Sequence, residues 1–116
     1  PVLAINPNDP ARVPEDSFDN MKIRAKEKLF PFPYLVDETQ SVAKAYGAKK
    51  TPHVFVVQYS KGTPIVRYIG AIDDNAMNPE QVESQFALDA VKALAAESNP
   101  AVAETKAIGC SIKWKE

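Results

Sequence analysis

The chain contains one cysteine, Cys110, and one histidine, His53. A deprotonated thiol can act as a nucleophile or resolving group, and an imidazole can give up a proton near neutral pH. His53 directly follows Thr51-Pro52, where the proline sets a backbone corner ahead of Val54-Phe55-Val56-Val57. That apolar, β-branched run reads as a central strand, so Thr51, Pro52 and His53 form a corner of the kind that often lines a site. Cys110 is the candidate catalytic residue, because no other side chain offers a thiol.

Each candidate has a plainer reading. Cys110 sits between Gly109 and Ser111 with no adjacent acid or histidine, and Lys106 and Lys113 are too weakly placed to activate it. A buried, inert structural thiol is therefore favoured over a redox role. His53 at a strand start is more simply a hydrogen-bonded structural residue than a proton donor. Lys49-Lys50 can bias a thiolate or an acidic partner, but a solvated loop pair is the better explanation. Asp73-Asp74-Asn75 lacks the glycine and distal glutamate of a calcium loop, so turn and cap chemistry accounts for it better than a hard cation.

Composition narrows the remaining classes. With one cysteine and one histidine, a zinc site is short of ligands and an internal disulfide is excluded; no metal and no cofactor is expected, although a carboxylate-only site stays open. Lys and Arg number 14 against 15 Asp and Glu, and no basic run exceeds Lys49-Lys50, which argues against nucleic acid as a partner. No apolar run approaches the roughly 20 residues of a membrane span, so a soluble chain is expected. One domain's worth of sequence buries roughly two thirds of its unfolded surface. Pro1 is not a natural start, and Val2 to Ile5 already reads as a strand, so the domain is expected to begin upstream.

The elements that must position these residues follow in chain order. Val2 to Ile5 predicts a buried strand, ended by the turn formers Asn6-Pro7-Asn8-Asp9-Pro10. Pro14, then Glu15 and Asp16, open a helix over about 14–28, with Phe18, Met21, Ala25 and Leu29 on its inner face. Phe30-Pro31-Phe32-Pro33 must be extended and crosses the surface. Asp37 caps a second helix, with Gln40 placed to reach back in a capping box, and Gly47 stops it. His53 to Tyr59 and Ile65 to Ile69 predict a hairpin joined by the five residues 60–64. A polar loop covers 70–77, and Asn78-Pro79-Glu80-Gln81 starts a third helix with Val82, Phe86, Leu88, Val91 and Leu94 as its stripe. Ile108, Cys110, Ile112 and Trp114 alternate, so the last segment packs back as an extended strap anchored by Trp114.

The stretch FPYLVDETQSVAKAYGAKKTPHVFVV, residues 32–57, resembles the second half of a thioredoxin-fold redoxin of the alkyl-hydroperoxide-reductase/thiol-specific-antioxidant (AhpC/TSA) kind. The flanks AINPNDPARVPEDSFDNM, YIGAIDDN and AIGCSIKW are similar to a peroxiredoxin-like subgroup of it. The resemblance implies an α/β, thioredoxin-like β-α-α-β-β-α domain over 1–116 with a C-terminal extended strap. The first core strand and the catalytic helix with its Cys-x-x-Cys turn are absent from that pattern here. It also implies that Thr51-Pro52 is a cis-proline corner facing the reactive cysteines, with Thr51 offering its backbone to an extended substrate. Where the subgroup can carry a further cysteine, this chain has Lys50.

The functional expectation is the C-terminal part of a thiol-disulfide oxidoreductase or thiol peroxidase, acting on a disulfide or peroxide with a thiol reductant. The chain alone is expected to be inactive for want of the N-terminal cysteines. The alternative is a non-catalytic thioredoxin-fold module that binds an extended peptide or its own copy. In the resembling fold a strand lies between those matching Val2 to Ile5 and His53 to Val57, and unpaired backbone there costs about 1–3 kcal/mol per group. The gap is expected to be closed by direct pairing of the two strands, by an upstream segment, or by another copy in a homodimer or strand exchange.

Overall fold

The computed structural model describes residues 1–75 and 77–116, so that one residue of the expected loop over 70–77 lies outside the described residues. The element order is β1 (Ala4–Asn6), α1 (Phe18–Glu27), β2 (Tyr34–Val36), α2 (Ser41–Tyr46), β3 (Lys50–Thr51), β4 (Val54–Ser60), β5 (Thr63–Gly70), α3 (Phe86–Ala95) and β6 (Cys110–Ser111). Short 3-10 turns at Pro14–Asp16 and Pro79–Gln81 precede α1 and α3. The chain divides into two compact units, one of residues 1–48 with 112–116 and one of residues 49–111.

In the first unit β1 and β2 pair in parallel, with Ala4 opposite Tyr34 and Asn6 opposite Val36. Beyond the proline-rich crossing, 34–36 form a strand by pairing with β1, the Ala4 N–H donating to the Pro33 carbonyl, and the Phe30 ring lies 5.0 Å from Phe32 and 5.4 Å from Tyr34. The expected single helix over 14–28 is a 3-10 turn followed by α1. Ser17 breaks the two with extended backbone and caps α1, its hydroxyl accepting from the Asn20 N–H. Met21 is buried as expected, whereas Phe18 is exposed and Leu29 lies past the helix end at φ 52°.

Asp37 does cap α2, accepting from the Val42 and Ala43 N–H groups, but the capping box does not form. Gln40 occupies the N-cap position with left-handed backbone, and its side chain turns elsewhere. Its amide nitrogen donates to the carbonyls of Pro7 (2.8 Å) and Lys113 (3.0 Å), and its oxygen accepts from the Lys115 N–H. Gln40 is 1% exposed, so a polar side chain forms the hub of this unit, its bond to Pro7 buried and those to Lys113 and Lys115 partly so. Gly47, at φ 73°, ends α2 as expected. The Trp114 ring receives the Lys44 ammonium at 5.7 Å.

In the second unit β4 and β5 form an antiparallel hairpin with Val54 opposite Gly70 and Ser60 opposite Thr63. The connection is Lys61-Gly62 alone, both at positive φ, rather than the five residues expected. Two such residues match the right-handed twist of the flanking strands, and Thr63 and Pro64 join the ladder because a proline is tolerated at a sheet edge. α3 packs on this hairpin. It starts at Phe86, not Asn78, since Val82 is extended and ends the 3-10 turn. Ala90 is buried with Phe86, Ala93 and Leu94 half-buried, while Leu88 and Val91 point outward, so the inward face is turned from the stripe expected.

The strap pairs at two places in this unit. Glu104 bridges Ile69 in parallel, supported by Ile69 N–H to Ala103 O and Thr105 N–H to Ile69 O, and β6 pairs antiparallel with β3. The described residues form three two-stranded sheets, in which the partner of β1 is β2, that of β3 is β6 and that of β4 is β5. Val54 to Val57 are only half-buried, which corrects their reading as a strand buried on both faces.

Candidate functional site at the Thr51-Pro52 corner

The corner is built from three short pieces of the second unit. β3 brings in Lys50 and Thr51, the Thr51-Pro52 peptide is cis, and β4 leaves immediately after His53. Thr51 and His53 are half-buried, and Pro52 is exposed.

His53 is held by its neighbours in sequence. Its Nδ1 accepts the Lys49 N–H at 3.1 Å, and its ring stacks on Phe55 at 4.7 Å. Accepting at Nδ1 fixes the neutral tautomer with its proton on Nε2. Partial burial, with the Lys49 charge adding to it, lowers the His53 pKa below the usual 6.5. The imidazole is therefore neutral at pH 7 and presents an N–H donor. Both readings of His53 contain part of this: it is hydrogen-bonded structure, and it keeps a donor free at the other nitrogen.

The other side of β3 is taken by the strap. Thr51 stands opposite Cys110 and Lys50 opposite Ser111, and the Thr51 hydroxyl donates to the Cys110 carbonyl at 3.4 Å. Gly109 permits this approach. A Cβ there would fall well inside 3.0 Å of the Thr51 carbonyl and close on the Pro52 ring, so only glycine lets the two backbones meet. A glycine interrupting an extended run is a sequence signal of close backbone approach, and Gly109 could have been read that way. Cys110 is exposed, which corrects the expectation of a buried structural thiol.

A cleft of about 220 Å³ borders the corner, walled by Pro52, Ala71, Ile72, Asp73, Pro79 and Ile108. The Asp73-Asp74-Asn75 segment beside it does turn chemistry, as expected. Asp73 accepts from the Asn75 N–H, and the Asp74 carboxylate accepts from the Glu83 and Ser84 N–H groups. Among the described residues no three His, Cys, Asp or Glu side chains gather where they could share a metal ion, and no helix is long and apolar enough to cross a membrane.

Sequence reading missed the network that holds the cleft wall to the strap. Tyr68, with no exposed surface, donates its hydroxyl to the Ala71 carbonyl, Thr105 donates to Tyr68, and the Ala71 N–H donates to Thr105 at 2.9 Å. Nothing in the one-dimensional pattern pairs residues 68 and 105.

A mixed α/β chain whose glycine-stopped helix leads, in sequence, through a Thr-Pro corner into a hairpin has the arrangement of the thioredoxin-like redoxins. Within that class the AhpC/TSA family model matches residues 1–69, more than half of the sequence, and the chain belongs to that family. Among solved structures it is similar to an uncharacterized conserved protein from Geobacillus kaustophilus, 42% identical with a TM-score of 0.86, over 97% of this chain and 59% of that one. It is also similar to a hypothetical protein from Sinorhizobium meliloti, 36% identical with a TM-score of 0.84, over 98% of this chain and 61% of that one. The chain thus spans about three fifths of the length of these relatives. No curated protein matches it.

Proposed function

We propose that this chain is the substrate-side portion of a redoxin-type thiol-disulfide oxidoreductase or thiol peroxidase of the peroxiredoxin-like kind. The observation that carries the reading is the family match, which includes the whole Thr51-Pro52-His53 corner. In this proposal the attacking thiolate belongs to polypeptide outside these 116 residues. It attacks one sulfur of a disulfide, expelling the other as thiolate and leaving a mixed disulfide, or it attacks a peroxide oxygen, leaving a sulfenic acid and releasing alcohol or water. A second thiol then attacks the mixed disulfide, or condenses with the sulfenic acid and loses water, and a thiol reductant restores the starting state.

The corner's part is to position and to donate. Thr51 supplies a strand edge against which an extended substrate is aligned, Pro52 and the cleft beside it take an apolar side chain, and His53 Nε2–H donates a hydrogen bond to the departing sulfur or oxygen, whose proton comes from solvent. Cys110, exposed and opposite Thr51, is the thiol of this chain placed to act as the second one.

Insulin reduction and peroxide consumption test the reading. The 116-residue chain should show no turnover, and a protein of the full length of its solved relatives should turn over at least one of the two substrates. Turnover by the 116-residue chain that survives Cys110→Ser would refute the proposal.

A further inference from the structure

We infer that the strap segment 108–111 is a displaceable internal occupant of the Thr51 edge, and that an extended peptide gains this edge only when the strap leaves it. The inference rests on the reading of that edge as a peptide-aligning site.

Four observations converge on it. The strap meets β3 as an antiparallel strand with Cys110 opposite Thr51, which is the geometry an extended peptide would itself adopt there. A strand edge can pair with one segment at a time, so strap and peptide exclude each other. The ladder is only two residues long, and 108–111 are all exposed, Ile108 to 60%. Short, solvent-exposed pairings of this sort lie at the low end of local stability and open first. Finally, Ile108 forms a wall of the cleft that Pro52 also borders, two residues before the Cys110 that faces Thr51. One movement of the strap would therefore bare the backbone edge and widen the side-chain cleft together.

The occupant is also fastened close by. Thr105 is tied through Tyr68 and Ala71 and pairs with Ile69, so displacement of 108–111 leaves 103–105 in place. Gly109 sets the balance, because it allows the strap to lie against Thr51 at all. The incoming peptide that fits is extended, with an apolar residue two positions before the residue opposite Thr51.

The test uses a labelled synthetic peptide with the sequence of residues 106–114, its cysteine replaced by serine. Gly109→Ala forces the strap away, and amide exchange at Lys50 and Thr51 should accelerate. Peptide affinity should rise about tenfold over the parent, as expected when a competent state goes from a minor to a major fraction. The second variant, Lys50→Cys with Ser111→Cys in a Cys110→Ser background, places thiols on directly opposed residues. Its disulfide should abolish peptide binding, and reduction should restore it, which keeps the test decisive even if Gly109→Ala does not fold. Peptide binding by the oxidised, locked variant equal to the parent's, or unchanged exchange at Lys50 and Thr51 in folded Gly109→Ala, would overturn the inference while leaving the proposed function standing. Faster exchange without peptide binding in any variant would instead remove the reading of the edge as a peptide site, and the inference with it.

Discussion

The hydroxyls of Tyr68 and Thr105 lie 2.6 Å apart, and their donors and acceptors can be ordered in only one way. The Ala71 carbonyl can only accept, so Tyr68 donates to it. Thr105 must then donate to Tyr68, and the Ala71 N–H closes the ring on the Thr105 oxygen.

This ring makes Thr105→Val more harmful than a small isosteric change ordinarily is. The substitution leaves the Ala71 N–H without its acceptor and takes the donor from Tyr68, at a cost of about 1–3 kcal/mol. Tyr68→Phe leaves the Ala71 carbonyl without its donor and the Thr105 hydroxyl without its acceptor, so it should cost a similar amount, about 1–3 kcal/mol. Urea unfolding followed by circular dichroism should show both losses, and the double variant should lose less than their sum.

Gln40 should be less replaceable than a surface glutamine on a helix end. Gln40→Ala deprives the Pro7 and Lys113 carbonyls and the Lys115 N–H of their partner, for an expected loss on the order of 3 kcal/mol. Exchange protection should fall at the Lys115 amide before it falls in α3, and equal loss in both regions would contradict the assignment.

Asp37→Ala removes the acceptor for two amide groups at the start of α2 and should destabilise by about 1 kcal/mol. Asp37→Asn, which retains an acceptor, should recover part of that loss in the same unfolding measurement.

His53 gives a pH dependence whose sign follows from its lowered pKa. The folded chain holds His53 neutral to lower pH than the unfolded chain does, so between the folded pKa and 6.5 the unfolded state binds more protons. Its contribution to stability is fully present above pH 6.5 and is lost as pH falls below that value. Unfolding midpoints of the parent should decline relative to His53→Gln over this range and run parallel above it. Nitrogen chemical shifts of the ring should report the proton on Nε2 at pH 7.

What the sequence revealed of the fold was mostly local. Asp37, Gly47 and Ser60–Pro64 each mark an element boundary through backbone preference, and each marks it within a few residues. The errors arose where a distant partner decides. Gln40 has the spacing of a capping box, yet the carbonyls of Pro7 and Lys113 compete for the same amide and prevail. Thr63-Pro64 looks like turn chemistry, but cross-strand pairing with Ser60 and Tyr59 draws it into β5. Within 108–114 only Cys110–Ser111 form a strand, and period alone could not say which face is covered; Ile112 is buried and Ile108 is not. The corner was legible as Thr51-Pro52-His53, whereas the strap lying on its edge depends on a meeting of residues 51 and 110 that no local pattern encodes.

The hold of Gln40 on the last residues also orders events in time. Residues 112–116 belong with 1–48, where Lys113 meets Asn8, Asp9 and Gln40 and the Trp114 carbonyl receives Arg12. A growing chain emerges from the ribosome N-terminus first, yet its leading unit cannot complete these bonds until residue 115 has been made. The later-synthesised segment 49–111 carries all of its own ladders and is free to close before the earlier one. Within this stretch of sequence, the unit that holds residues 1–48 is therefore completed only after 49–111 has been synthesised.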